Sequence, residues 1–163
     1  MSEEKTNVMR LLEQKKVPYT PHQYPHQEGM AVDGATVAAV LGRDPASVFK
    51  TLVTRGATKA NYVFVVPVLA ELDLKKAARA VGEKSIEMIH VKELTPLTGY
   101  IRGGCSPLGM KKRLRTVLDS SARAQAAIVV SAGKIGYQVE LSPQDLAGLA
   151  EADFAPVTRD AAL

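Results

Sequence analysis

Two short passages hold the residues best suited to chemistry. In VFKTLV the cation Lys50 sits among Val48, Phe49, Leu52 and Val53, and the alternation of a strand sends it to one face. Strand lysines ordinarily extend their heads into solvent. On a face that lines a pocket, the same ammonium is a fixed donor to a ribose hydroxyl, a phosphate or a carbonyl oxygen. The second passage, GYIRGGCSPLGMKKRLRTVLD over residues 99–119, puts Gly103, Gly104, Cys105 and the Ser106-Pro107 step directly ahead of Lys111, Lys112, Arg113 and Arg115. Adjacent glycines let a ligand reach main-chain N–H groups without meeting a side chain, although turns between strands use the same residues. The cations beside them point to a phosphate-bearing ligand, drawn in by charge and oriented by the amides.

Other residues offer less. SAGKIG, residues 131–136, repeats glycine and lysine at the end of the apolar AAIVV. Its spacing is too short for a nucleotide-triphosphate loop, so a hairpin turn is expected. His22, His26 and His90 lack a second close ligand set or a cysteine partner, and no metal site is expected. Glu71 and Asp73 read as the lead into a helix. Cys105, the only cysteine, is either a small buried hydrophobe or a thiol whose reactivity would need a nearby base and a lowered pKa. A single cysteine makes no internal disulfide and fits a reducing compartment.

The elements that must position these residues follow from composition and period. The chain has 163 residues, 46% hydrophobic and 23% charged, with no Trp and a net charge of +4. That composition is globular, and the length suits one domain. No apolar run reaches membrane-spanning length, and MSEEKTNVMRLLEQKK is too charged for a signal peptide, so a cytoplasmic protein without a membrane partner is expected. Cations gather at Lys75, Lys76 and Arg79 and again at 111–115, while acids collect at Glu140, Asp145, Glu151 and Asp153. Such segregation makes either two solvated faces or a binding surface.

Val8, Leu11 and Leu12 recur at helical spacing behind Thr6 or Ser2 as caps, and that helix ends before Pro18. TPHQYPHQEGMAVDG reads as a short extended piece and a long loop. A helix over Thr36 to Leu41 closes at Gly42, and Asp44-Pro45 opens one turn before the strand VFKTLVTRG. NYVFVVPVL, a near-continuous apolar run, predicts a central strand buried on both faces. LDLKKAARAVG is a helix capped by Asp73 and stopped by Gly82. SIEMIH, TGYIRG, RTVLD, AAIVVSAG and YQVEL supply strands, and SPQDLAGLAEA is a helix with Ser142 as cap and Pro143 first. Strands and helices without strict alternation predict an α+β domain with a mixed, strongly curved sheet.

VFKTLV, PVLAELDLKKAARAVG, TGYIRGGCSPLGMKKRL and IVVSAGKIGYQVELSPQDL, in this order and across nearly the whole chain, resemble the YbaK/EbsC-type aminoacyl-tRNA deacylases. These are relatives of the editing domain of bacterial prolyl-tRNA synthetase. The resemblance implies that fold over residues 1–163 as one domain, with trans-editing of misacylated tRNA, chiefly Cys-tRNA(Pro), and no cofactor. It implies that Lys50 positions the terminal adenosine and the ester, that main-chain groups of Gly103 and Gly104 contact substrate, and that Tyr24 lies near the aminoacyl pocket. Ser106 joins them as a substrate-binding candidate. Gln138 stands where YbaK-like members carry a pocket Asp, and GGCSP matches the EbsC branch. In such enzymes the substrate's own cysteine thiol attacks its ester, which leaves Cys105 dispensable.

Lys111, Lys112, Arg113 and Arg115 would then hold acceptor-stem phosphates in a salt-dependent way, and family analogy implies association with prolyl-tRNA synthetase. Two other readings stay open: a non-catalytic module that docks tRNA or another phosphorylated ligand, and a Cys105-dependent hydrolase.

Overall fold

The apolar run after Asn61 forms β3 (Asn61–Pro67), and in this computed structural model, which describes residues 5–25, 30 and 32–159, every other element is placed relative to it. Val63, Phe64, Val65 and Val66 are all fully buried, as a continuous apolar strand requires. β2 (Phe49–Gly56) runs antiparallel beside it with Lys50 opposite Val66. β4 (Ile86–Met88) flanks β2. β5 (Arg115–Asp119) and β8 (Asp153–Ala155) extend the other side in parallel, giving a five-stranded mixed sheet in the order β4-β2-β3-β5-β8.

β1 (Thr20–Gln23), β7 (Tyr137–Leu141) and β6 (Ile128–Lys134) make a separate three-stranded antiparallel sheet. A parallel bridge from Val48 to Val129 joins it to the first. The α+β architecture is as expected, with its strands divided between two sheets rather than running through one.

Alternation on β3 assigns its side chains to two cores. Val63 and Val65 pack with Val8, Met9 and Leu12 of α1 (Asn7–Gln14), with Val130 and Val139 of the second sheet, and with Leu146 of α5 (Pro143–Ala150). Phe64 and Val66 pack on Ala77, Ala78 and Val81 of α3 (Leu74–Val81). Truncation of a buried phenylalanine such as Phe64 costs about 3–5 kcal/mol.

The helices begin where their caps predict. The Thr6 Oγ1 accepts the Met9 N–H at 3.2 Å, Asp73 accepts those of Lys75 and Lys76 at 3.0 Å, and the Ser142 Oγ accepts that of Asp145 at 3.0 Å. Ser2, the other cap offered for α1, lies outside the described residues. α2 (Gly34–Leu41) starts two residues earlier than its apolar pattern, capped by Asp33, whose side chain takes the Thr36 N–H at 2.9 Å.

TGYIRG is not a strand. Residues Val91–Thr98 form α4, which ends at Gly99, and the remainder is loop. Pro96 lies inside α4, where proline removes one main-chain bond. The helix persists because the Glu93 carboxylate accepts the His90 N–H at 2.9 Å and the Thr98 hydroxyl donates to the Leu94 carbonyl at 2.7 Å.

Candidate active site

β2, β6, β7, the start of α2 and the loop after α4 enclose a cavity of about 630 Å³. Lys50 and Thr51 reach it from β2, and Ser131 and Gln138 from the second sheet. Tyr24 closes another wall, and Arg102, Gly103 and Cys105 come from the glycine loop. Five of the residues named from sequence, Tyr24, Lys50, Gly103, Cys105 and Gln138, therefore share one cavity.

Lys50 is half-buried and makes no hydrogen bond or ion pair with any described residue. Burial pulls its pKa below the ordinary lysine value, and the field of Glu71 works against that shift. An ammonium short of water and without a fixed partner is held ready for a ligand oxygen. Two neutral groups are in the same condition. The Thr51 hydroxyl is buried with no hydrogen-bond partner. The Gln138 side chain, in a residue only 7% exposed, has none among the described residues. Buried polar atoms are normally paired, and the Thr51 hydroxyl is the exception among the described residues.

The glycine loop is rigid for identifiable reasons. The Tyr100 hydroxyl donates to the Leu108 carbonyl at 2.6 Å, and its ring occupies space that glycine leaves free. A Cβ on Gly133 would lie 3.0 Å from the Tyr100 ring, and one on Gly109 2.9 Å from its oxygen. Burial pushes the Tyr100 hydroxyl up to about 12.

The two adjacent glycines have different tasks. Gly103 holds φ at 87° and lines the cavity, and its N–H has no partner among the described residues. Gly104 does not line the cavity: its N–H donates to the Ile101 carbonyl at 3.0 Å, and a Cβ there would stand 3.0 Å from the Ile135 nitrogen. It is the point where the loop lies against the β6–β7 turn. Ser106 is likewise a support, fully buried, with its hydroxyl oxygen accepting the Leu108 N–H at 3.2 Å. Of Gly103, Gly104 and Ser106, all expected to meet substrate, only Gly103 lines the cavity.

Cys105 forms part of the cavity wall, and burial pushes its thiol up to about 12 despite the neighbouring Thr98 side chain, which works the other way. At neutral pH it stays protonated, which makes it an apolar surface and a poor nucleophile. None of Lys111, Lys112, Arg113 and Arg115 lines the main cavity. Arg113 pairs with Glu151 at 2.5 Å, and Arg115 reaches Asp153 at 3.7 Å while donating to the Val81 carbonyl at 3.3 Å. Two of the acids that look segregated in sequence, Glu151 and Asp153, are thus folded back onto this run. Lys111 and Lys112 are exposed and unpaired among the described residues.

The sequence reading passed over Arg102, Asp33, Thr51 and Ser131. Arg102 had a signal, since it immediately precedes the glycine pair; the others become visible only through the fold. Asp33 at the cavity edge is occupied with Thr36, whose N–H and hydroxyl lower its pKa. His22 shares the Glu140 carboxylate with Arg43, both at 2.8 Å, away from the cavity. His90 caps α4, and His26 lies outside the described residues.

Residues 29–149 match the family model of the aminoacyl-tRNA editing domain. The chain is 47% identical over 157 residues to an Enterococcus faecalis protein whose name gives it as a Cys-tRNA(Pro)/Cys-tRNA(Cys) deacylase, EbsC, with 96% of this chain and 95% of that protein covered. A crystal structure described as a trans-editing enzyme for prolyl-tRNA synthetase superposes with a TM-score of 0.80 at 23% identity, covering 97% of this chain and all of the other. At that identity the superposition speaks for the fold.

Proposed function

Because the chain belongs to the aminoacyl-tRNA editing-domain family, we propose that it is a trans-editing deacylase that hydrolyses misacylated tRNA, chiefly Cys-tRNA(Pro), as one domain over residues 1–163. The observation that carries this reading is the convergence of Lys50 and Gly103 on a single cavity of about 630 Å³. That size lies within the range of pockets for ligands of nucleoside scale. Editing is needed because a synthetic site rejects a near-isosteric smaller amino acid poorly, so a second site must hydrolyse the product.

The site works by holding its substrate. Lys50 donates to the ester and the ribose, and the Gly103 N–H faces the oxygen on which negative charge develops. Cys105 and Tyr100, both raised to about 12, keep their protons at neutral pH. The nucleophile is then the substrate's own sulfur. Its bond to the carbonyl carbon forms as the bond from that carbon to the ribose oxygen breaks, the thiol proton ends on the ribose hydroxyl, and water later opens the cyclic thioester to free cysteine. Near-attack geometry of this kind is worth up to about 7–11 kcal/mol. Gln138 contacts the aminoacyl group as a neutral amide, and Tyr24 closes the pocket beside it. Lys111 and Lys112 meet acceptor-stem phosphates. Prolyl-tRNA synthetase, in the cytoplasm, supplies discrimination between tRNAs. No helix among the described residues is long and apolar enough to cross a membrane.

The test is deacylation of Cys-, Ala- and Ser-charged proline tRNA by the native chain and by Lys50→Ala. Hydrolysis of the cysteinyl ester that collapses in the variant is expected. Failure on all three substrates leaves a phospholigand-binding module. A substrate with hydroxyl or methyl in place of the thiol reacts far more slowly if sulfur is the nucleophile; equal rates overturn that step.

A further inference from the structure

Among the described residues, Arg102 is the one arginine that lines the cavity. It is exposed, and it makes no hydrogen bond or ion pair with any described residue. Arg113 and Arg115, nearby in sequence, are both paired with acids. The carboxylate that shares the cavity edge, Asp33, is engaged by Thr36. Arg102 is also covalently next to Gly103, whose loop is pinned by Tyr100 and by the contact of Gly104 with the β6–β7 turn. Its guanidinium therefore projects from a fixed base at the mouth of the cavity whose interior holds Lys50.

A guanidinium presents a planar fork of donors that suits two oxygens of one phosphate. In an aminoacylated adenosine, the ester sits on the 2′ or 3′ oxygen, and the phosphate leaves from the 5′ carbon on the other side of the ribose. With the ester at Lys50 and Gly103, that phosphate leads outward past the rim. We propose that Arg102 binds the phosphodiester on the 5′ side of the terminal adenosine and so fixes which end of the nucleotide enters the cavity. This assignment rests on the deacylase reading for the identity of the substrate. It moves the principal phosphate contact from the 111–115 run to a residue at the cavity itself.

The first test needs no turnover. Calorimetric titration compares 5′-AMP with adenosine on the native protein, Arg102→Ala and Arg102→Lys. The native protein prefers 5′-AMP by about tenfold, the gain of one charge-assisted hydrogen bond at its lower limit. Arg102→Ala loses the preference, and Arg102→Lys keeps part of it because a point charge replaces the fork. The second test follows hydrolysis of the cysteinyl esters of 5′-AMP and of adenosine. The ratio of their kcat/KM values falls from about tenfold to near unity in Arg102→Ala, through KM, and the salt slope of charged-tRNA binding drops by about 0.7.

A native protein that hydrolyses both esters, with the same ratio in Arg102→Ala, overturns the phosphate site and leaves the deacylase reading standing. A protein that hydrolyses neither, yet shows the Arg102-dependent preference for 5′-AMP, overturns the deacylase reading and leaves the phosphate site. Arg102 is exposed and unpaired, so neither variant disturbs folding, which circular dichroism checks.

Discussion

The cavity and the two arginines of the basic run carry the same kind of charge in opposite circumstances. Lys50 and Arg102 have no ion-pair partner among the described residues, whereas Arg113 and Arg115 face Glu151 and Asp153. An exposed pair such as Arg113 with Glu151 contributes about 0.2–1 kcal/mol to stability, and its cation is already partly neutralised toward phosphate. A cation kept without a partner gives the fold nothing and, where burial lowers its pKa, works against it. Density of charge along a chain is therefore a poor guide to where a polyanion is held. Arg113 and Arg115 tie the start of β5 and the segment before it to the end of α5 and to β8, while Lys50 and Arg102 line the cavity.

The largest expected effect separates these roles. Lys50→Ala lowers deacylation by about 10²–10³-fold, the scale for losing one donor to a developing oxyanion, measured as single-turnover hydrolysis. If the ammonium is the active form, activity in the native protein also declines as pH rises through the lowered Lys50 pKa, earlier than an ordinary lysine would dictate. Stability runs the other way. The folded state releases the Lys50 proton more readily than the unfolded chain, so the penalty of half-burying the charge is present below the folded pKa and is relieved as pH rises towards the unfolded value. Lys50→Met removes that dependence and gains stability at neutral pH, read from urea midpoints.

Gly104→Ala comes next. Its Cβ would press on the Ile135 nitrogen at 3.0 Å, and overpacking of this kind costs about 1–3 kcal/mol. Chemical denaturation gives the stability loss, and hydrolysis falls with it because Gly103 shifts. Cys105→Ala has a smaller effect: turnover stays within a few-fold of native, and the native thiol resists alkylation at pH 8, as a group pushed up to about 12 must. Loss of turnover would restore the Cys105-dependent reading. The smallest change belongs to Arg113→Ala, at most about 1 kcal/mol in stability, with the salt dependence of tRNA binding unaltered. A reduced salt slope would return the phosphate contact to the basic run.

Local chemistry explains what could be read from sequence. Asp73, Ser142 and Thr6 announce their helices because a side-chain oxygen before an apolar stripe has one evident use. The run from Asn61 reveals β3 because only a doubly covered strand can afford four successive apolar residues. What stayed hidden depends on partners distant in the chain. β8 is three residues long and exists only by pairing with β5, and α4 contains Pro96, the residue that argues most against a helix. In the site, Lys50, Tyr24, Gly103 and Gln138 were legible through motif resemblance. The division of labour between Gly103 and Gly104 was not, since it depends on Ile135, which the sequence places thirty-one positions away.

β1 and β7 bring together the two ends of the polypeptide: His22 and Glu140, bonded side chain to side chain, are 118 positions apart. Synthesis proceeds from the N-terminus, so Tyr24 emerges from the ribosome long before the strand that carries Gln138 exists. A nascent chain can complete the five-stranded sheet's antiparallel hairpin early, since β2 and β3 are neighbours, while the second sheet must wait for β7. Closing so long a loop slows the last stage of folding. The cavity consequently takes shape only once the segments that carry Tyr24 and Gln138 have both been made.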